Sequence, residues 1–219
     1  MSETRYGLFR RNALSIVVIL LMLATLAGQI VAGRQVYNEE LRKEGAPALS
    51  LSEYVTSGHF VSATFENWES EFLQMGMYVL LTVSLRQKGS AESRPLDPAN
   101  EEERIEKGRK PWPVRAGGIW LKLYGHSLAI AFAFLFVASF VLHLEGSWRH
   151  ESVQRQLEGE PPQELMEHLG SAQFWFESFQ NWQSEFLAVA SLVILTIWLR
   201  QKDCPQSKPV EAPHSQTGV

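Results

Sequence analysis

The sequence predicts an all-α membrane protein, a bundle of four transmembrane helices built from two parallel tandem hairpin repeats. Two observations lead to this prediction. Residues 12–33 and 123–144 are apolar runs of 22 residues without any Asp, Glu, Lys or Arg, and two further apolar runs open with the same motif. About 20 apolar residues in a helix cross roughly 30 Å of hydrocarbon, whereas a soluble helix is rarely apolar on every face over that length.

The repeated motif reads FENWESEFL at residues 65–73 and FQNWQSEFL at residues 179–187. The offset is 114 residues, and 14 of the 24 aligned positions between residues 65–88 and 179–202 are identical. Because the apolar run from Glu71 to Arg86 gives only about 21 Å of helix, each motif helix must begin before its acidic residue. We therefore expect Trp68 and Trp182 to lie at the membrane interface, where tryptophans are enriched.

The predicted organisation follows the repeats and the segments between them. It comprises a first membrane repeat (residues 1–88, helices about 12–33 and 65–86), a charged cytoplasmic linker (89–121), a second membrane repeat (122–202, helices about 123–144 and 179–200) and a disordered cytoplasmic tail (203–219). Short additional helices are predicted after Ser50, which has the capping-box spacing to Glu53, around Leu165–Leu169, and within 101–107.

The distribution of basic residues predicts the orientation in the membrane. Fifteen of the 20 Lys and Arg residues lie in the N-terminal tail, in the linker with its flanks from Arg86 to Lys122, and in the C-terminal segment from Arg200, and five lie in the two hairpin loops. The positive-inside rule then places both termini and the linker in the cytoplasm.

The alternative for residues 12–33 is a cleaved signal peptide. A net charge of −4, without basic residues interleaved with aromatic ones, argues against a nucleic-acid partner.

A candidate intramembrane polar site comes from counting helix depth. Its members are Glu71, Glu185, Asn67, Asn181, His143 and Gln29. At the repeat offset His143 takes the position of Gln29, so we expect Gln29 to meet Glu71 and His143 to meet Glu185. Asn67 lies four residues before Glu71 and shares its helix face.

Two other acidic residues of the motif receive a different interpretation. Glu66 and Glu69 are replaced by Gln180 and Gln183 in the second copy, so the repeat does not require charge there, and we interpret both as interfacial.

For the candidate site itself two roles stay open. It holds helices together by hydrogen bonds, or it handles cations or protons, with His143 able to change charge near neutral pH.

Other chemistries lack a signature in the sequence. The six histidines show no metal-ligand spacing, and no phosphate-binding loop or nucleophile elbow is present. The single cysteine, Cys204, excludes an intrachain disulfide. We therefore predict no metal, no cofactor and no catalytic residue.

Three segments resemble a known family: GHF at 58–60, ATFENWESEFLQM at 63–75 and LRQKGS at 85–90. They are similar to a bacterial multi-pass membrane family classed as a domain of unknown function, and the resemblance extends over both repeats. It implies a bacterial integral membrane protein of the cytoplasmic membrane, and no activity. The predicted function is a structural or interaction protein of the cell envelope, with the lipid bilayer as partner. The alternative is a small cation- or proton-handling transporter or channel, acting as a homo-oligomer because four helices barely enclose a pathway.

Overall fold

The computed structural model describes residues 7–97, 99, 105 and 107–218. These residues form helices and no strand, so the all-α prediction is confirmed for this part of the chain. The helices are α1 (Leu8–Lys43), α2 (Leu51–Val55), α3 (Gly58–Ser84), α4 (Trp112–Ala116), α5 (Gly118–Gly125), α6 (Ser127–Leu157), α7 (Leu165–Leu169) and α8 (Ala172–Trp198). The short helix predicted at 101–107 lies mostly outside the described residues.

Two described helices, rather than the predicted four, are long and apolar enough to cross a membrane. They are α1, over Phe9–Lys43, and α6, and their most apolar windows have mean hydropathies of 2.5 and 2.3. The helices α3 and α8 do not qualify, because polar residues fill the first half of each. In α3 these include three carboxylates, Glu66, Glu69 and Glu71, which are costly to place in hydrocarbon.

Both candidate spans continue well beyond the uncharged runs that predicted them. The prediction ended the first helix near residue 33 and the third near residue 144, whereas α1 reaches Lys43 and α6 reaches Leu157. The last turns of α1 bury Tyr37 and Leu41, so packing rather than membrane contact stabilises this extension.

The capping box predicted at Ser50 is confirmed. The Ser50 Oγ accepts a hydrogen bond from the Glu53 backbone N–H at 3.3 Å, and the Glu53 carboxylate accepts one from the Ser50 N–H at 2.7 Å. These bonds satisfy two donors that the start of α2 would otherwise leave unpaired. The second predicted short helix is also present, as α7.

The chain forms two compact units, and each takes residues from both halves of the sequence. The first unit comprises the described part of Met1–Ala63 together with Leu144–His168. Its core is formed by Tyr37, Leu41 and Tyr54. The start of α3 and the second half of α6 approach closely here, since a Cβ on Gly146 would overlap the backbone N of Ser62.

The second unit comprises Thr64–His143 and the described part of Leu169–Val219. It contains most of α3, the first part of α6 and α8. The segment predicted to be a disordered tail forms hydrogen-bonded turns in this unit. The Lys208 side chain is 1% exposed, and its Nζ donates to the carbonyls of Gly89 at 2.5 Å and Gln216 at 2.9 Å. These bonds hold the tail against the loop that follows α3.

Candidate functional site

A carboxylate and an imidazole meet in the interior of the second unit. Glu69 of α3 and His143 of α6 both have 0% side-chain exposure, and the His143 Nδ1 lies 3.1 Å from the Glu69 Oε2. The contact is an ion pair when the imidazole is protonated. Burying a carboxylate without compensation is costly, so this pair is the strongest candidate for a functional site in the described part of the chain.

Residues of α8 fix the orientation of both members of the pair. The Trp182 Nε1–H donates a hydrogen bond to the Glu69 Oε1 at 3.1 Å. The Phe174 ring stacks on the His143 imidazole, with centroids 4.9 Å apart and an interplanar angle of 29°. The other carboxylate oxygen is thereby directed at the imidazole.

Two further polar contacts connect α3 to α8 on either side of the pair. The Asn181 Nδ2 donates to the Glu66 Oε1. The Gln74 Nε2 donates to the backbone carbonyl of Glu185 at 2.7 Å. With the Trp182 bond, these contacts give three side-chain hydrogen bonds between α3 and α8.

Some buried polar atoms around the pair have no hydrogen-bond partner among the described residues. They are the His143 Nδ1 and Nε2, the Glu69 Oε2 and the Ser178 Oγ on α8. The Nδ1 and the Oε2 face each other but are not aligned for a hydrogen bond. Buried polar atoms are nearly always paired in native proteins, and exceptions concentrate where a group has a chemical role.

The structure places three of the residues singled out from the sequence at this site: His143, Asn181 and Trp182. His143 lies beside Glu69, whereas we expected it beside Glu185. Trp182, which the sequence predicts at the membrane interface, donates a hydrogen bond to Glu69.

The remaining members of the predicted site lie elsewhere. Asn67 and Glu71 are exposed and Glu185 is half-buried. Glu71 and Glu185 lie close enough to interact electrostatically, and only the backbone carbonyl of Glu185 takes part in the contacts beside the pair. Trp68 is 37% exposed and its ring packs edge-on against Phe65. Gln29 is half-buried on α1, in the first unit.

Glu66 and Glu69 were interpreted as interfacial from the sequence. The structure instead buries Glu69 completely and leaves Glu66 half-buried against Asn181. The equivalent residues of the second copy gave no signal for this burial, because Gln180 and Gln183 are exposed.

The first unit holds a second group of titratable rings. The His59 ring stacks on Tyr37 at 4.7 Å between centroids and meets the His150 ring edge-on at 5.2 Å. The Tyr54 hydroxyl lies 3.2 Å from the His59 Nδ1. Burial lowers the pKa of His59, and the nearby carboxylate of Glu40 partly opposes this effect.

The described residues contain no group of three or more His, Cys, Asp and Glu side chains arranged to hold a metal ion. An open cleft of about 590 Å³ lies in the first unit, between the ends of α1 and α6 and the α2 segment. Its walls are mostly apolar, with Arg149 and Glu53 as charged lining residues.

The family comparison covers almost the entire chain. Residues 5–219 match a family described as a domain of unknown function (DUF6766). The searches of curated proteins and of solved structures found no match. The match includes every described residue and agrees with the resemblance found in the sequence. The chain belongs to the family of the domain of unknown function DUF6766.

Proposed function

We propose that this protein is an integral membrane protein that takes up and releases protons at the Glu69–His143 pair. The observation that supports this most strongly is the complete burial of both side chains at a separation of 3.1 Å. A coupled carboxylate and imidazole gain or lose protons as one unit. Titratable groups at membrane depth are typical of proton pathways.

The membrane location of the pair is part of the proposal. His143 lies within α6, one of the two helices long and apolar enough to cross a bilayer. The helices α3 and α8 contact this part of α6 through Glu69, Phe174 and Trp182. If α6 crosses the bilayer, these contacts bring the polar halves of α3 and α8 to membrane depth, where protein rather than lipid surrounds their buried groups.

We further propose that the chain arose by internal duplication. The bounds of α7 and α8 are those of α2 and α3 shifted by 114 residues. Polar contacts recur at the same offset. The Arg86 Nη1 donates to the Thr82 carbonyl and the Arg200 Nη1 to the Thr196 carbonyl, each at 3.1 Å.

The duplication bears on the charge at the site. At the repeat offset, Glu66, Glu69 and His143 correspond to Gln180, Gln183 and Gln29. The first repeat thus has two carboxylates where the second has amides, and the second repeat has an imidazole where the first has an amide. Gln180 and Gln183 are exposed and Gln29 is half-buried, whereas Glu69 and His143 are completely buried, so the burial of titratable groups is not repeated.

The test is proton flux into lipid vesicles that contain the purified protein. We expect wild-type protein to carry protons down an imposed gradient and Glu69→Gln to abolish this flux, since the amide keeps the acceptor oxygen for Trp182 but cannot bind a proton. The matched control is Glu71→Gln, an exposed carboxylate on the same helix, which we expect to retain flux. A wild-type protein without flux, or a Glu69→Gln variant with unchanged flux, would contradict the proposal.

A structural or interaction protein of the cell envelope is the second candidate. The observation that favours it is the set of hydrogen bonds from Asn181, Trp182 and Gln74 that connects α3 and α8. In that case Glu69→Gln and the wild type would carry equally little flux, while Trp182→Phe would lower the melting temperature in detergent. Cross-linking in vesicles would then report the homo-oligomer expected from the sequence.

The proposed location is the bacterial cytoplasmic membrane, with both termini and the linker on the cytoplasmic side. The support is the excess of Lys and Arg in those segments, fifteen of 20. This orientation would direct the end of α3, and the loop that follows it, towards the cytoplasm.

A further inference from the structure

One face of α3 carries a series of polar side chains that leads away from the Glu69–His143 pair. Glu66, Ser70, Gln74, Tyr78 and Thr82 recur at intervals of four residues, which places them along one side of the helix. From Glu66 to Tyr78 this row extends about 18 Å along the helix axis. The row therefore begins next to the pair and ends close to the end of α3.

Contacts within the second unit show that the row faces the protein interior. Ser70 and Gln74 are 2% and 7% exposed. The Gln74 Nε2 donates to the Glu185 carbonyl at 2.7 Å, which holds this side chain at the boundary between α3 and α8. Buried polar positions in succession are costly between membrane helices and are commonly associated with transport pathways.

The row ends on a second carboxylate. The Tyr78 hydroxyl donates a hydrogen bond of 2.6 Å to the Oε2 of Glu92, in the loop after α3. The loop is fixed by the Ser90 hydroxyl, which accepts a bond from the Glu92 N–H at 3.2 Å and lies 3.1 Å from the Thr196 hydroxyl. Glu92 is half-buried, so it can contact both Tyr78 and solvent.

The corresponding face of α8 carries polar residues only at Gln180, Ser184 and Thr196, so the series is interrupted in its middle. At the repeat offset, Gln74 and Tyr78 correspond to Ala188 and Leu192, and Glu92 corresponds to Gln206. The second repeat, which has amides in place of Glu66 and Glu69, thus also lacks Gln74, Tyr78 and the terminal carboxylate. The two carboxylates of the motif and these three residues occur together in the first repeat, as expected if they serve one function.

We propose that the polar face of α3 conducts protons between the Glu69–His143 pair and Glu92, with Tyr78 as the final relay. In each transfer the Tyr78 hydroxyl gives its proton to the Glu92 carboxylate and receives another from a water molecule on the Gln74 side. The Glu69–His143 pair releases the proton that replaces the one lost by this water, so that no charge remains on the water or on the tyrosine. Glu92 then releases the proton to solvent. This inference rests on the proposed proton-handling function and adds its route.

The experiment compares Tyr78→Phe and Glu92→Gln with wild type and with Glu69→Gln in the vesicle flux assay. Removing the Tyr78 hydroxyl should slow flux by roughly 10²-fold, the contribution of a positioned proton-transfer group, and Glu92→Gln should give a similar loss. The control is Tyr124→Phe, an exposed tyrosine on α5, which should retain wild-type flux. A larger deuterium isotope effect on the residual flux of Tyr78→Phe would indicate a slowed proton transfer, which a merely structural role would not produce.

The outcomes separate the route from the function. Loss of flux in Glu69→Gln together with wild-type flux in both Tyr78→Phe and Glu92→Gln would overturn the route and leave the proposed function in place. Unchanged flux in Glu69→Gln would overturn both. If Tyr78→Phe does not fold, Glu92→Gln decides the matter, because it keeps a hydrogen-bond acceptor for Tyr78 and removes only the ability to take the proton.

Discussion

At the residue scale, the decisive feature is which carboxylates of the repeated motif are buried. The sequence directed attention to Glu71 and Glu185, because they occur in both copies at equal depth. The depth of a residue along a helix can be counted from the sequence. The side of the helix that packs against a neighbouring helix cannot be deduced in the same way. Glu69 is two residues, or roughly 200° of helix rotation, from Glu71, and this rotation places Glu69 in the interior and Glu71 at the surface.

Titration of a half-buried histidine also makes the first unit sensitive to pH. The His59 ring is packed among Tyr37, Tyr54 and His150, with Glu40 as the nearby charge. Burial favours neutral imidazole in the folded state, so the pKa of His59 lies below its ordinary value of 6.5. The unfolded chain then binds more protons than the folded chain as the pH falls below about 6.5, and the free energy of unfolding decreases.

We predict that the melting temperature in detergent falls between about pH 7 and pH 5, and that His59→Phe makes this decrease smaller. Phenylalanine keeps a ring against Tyr37 and removes one titrating group. The His126→Phe variant, with an exposed imidazole, is the control and should keep the wild-type dependence. An equal decrease in His59→Phe and the wild type would show that His59 does not contribute.

At the element scale, local signals in the sequence were more informative than helix length. The Ser50–Glu53 spacing predicted the start of α2, because a capping box is read from residues three apart. The ends of α1 and α6 were underestimated, because their extensions are stabilised by contacts with distant residues such as Tyr54. The polar character of α3 and α8 was also visible, but their relation to α6 depends on tertiary contacts such as Phe174 with His143.

The crossing of α3 and α6 in the first unit yields a prediction for two glycines. A Cβ on Gly146 would overlap the backbone N of Ser62, and a Cβ on Gly58 would lie 2.7 Å from the Gly146 carbonyl oxygen. Because both obstacles are backbone atoms, the helices must separate to admit a methyl group. We expect Gly146→Ala to lower the free energy of unfolding by about 1–3 kcal/mol.

The matched control is Gly28→Ala, a helical glycine of α1 at which an added methyl group would have no other atom within 4 Å. Alanine favours helix over glycine by about 1 kcal/mol, so this variant should be neutral or slightly more stable. Thermal unfolding of both variants in the same detergent measures the difference. A Gly146→Ala protein as stable as Gly28→Ala would show that the helices do not cross as closely as described.

At the scale of the whole molecule, the all-α class and the two apolar helices were accessible from hydropathy alone. The two compact units were not, because each unit combines residues from both halves of the sequence. The repeat offset predicts which residues are equivalent, and it does not predict which of them come into contact. That distinction explains why the repeated acidic position was identified and the buried pair was missed.

The orientation gives a prediction at this scale, in a Cys204→Ser background that removes the single native thiol. A cysteine at exposed Ser52, in α2, should react with a membrane-impermeant thiol reagent added to intact cells. A cysteine at exposed Lys202, after α8, should react only when the cells are opened. The reverse pattern would invert the topology, and reaction at both sites in intact cells would contradict a membrane-embedded arrangement.

The central claim is that the Glu69–His143 pair binds and releases protons, and counting bound protons tests it most directly. Purified protein is titrated between about pH 5 and pH 8 and compared with the Glu69→Gln, His143→Gln double variant, which carries the amides found at the equivalent positions, Gln183 and Gln29. We predict that the wild type takes up about one proton more per chain over this range than the variant. Equal proton uptake by the two proteins, with both folded, would contradict the claim.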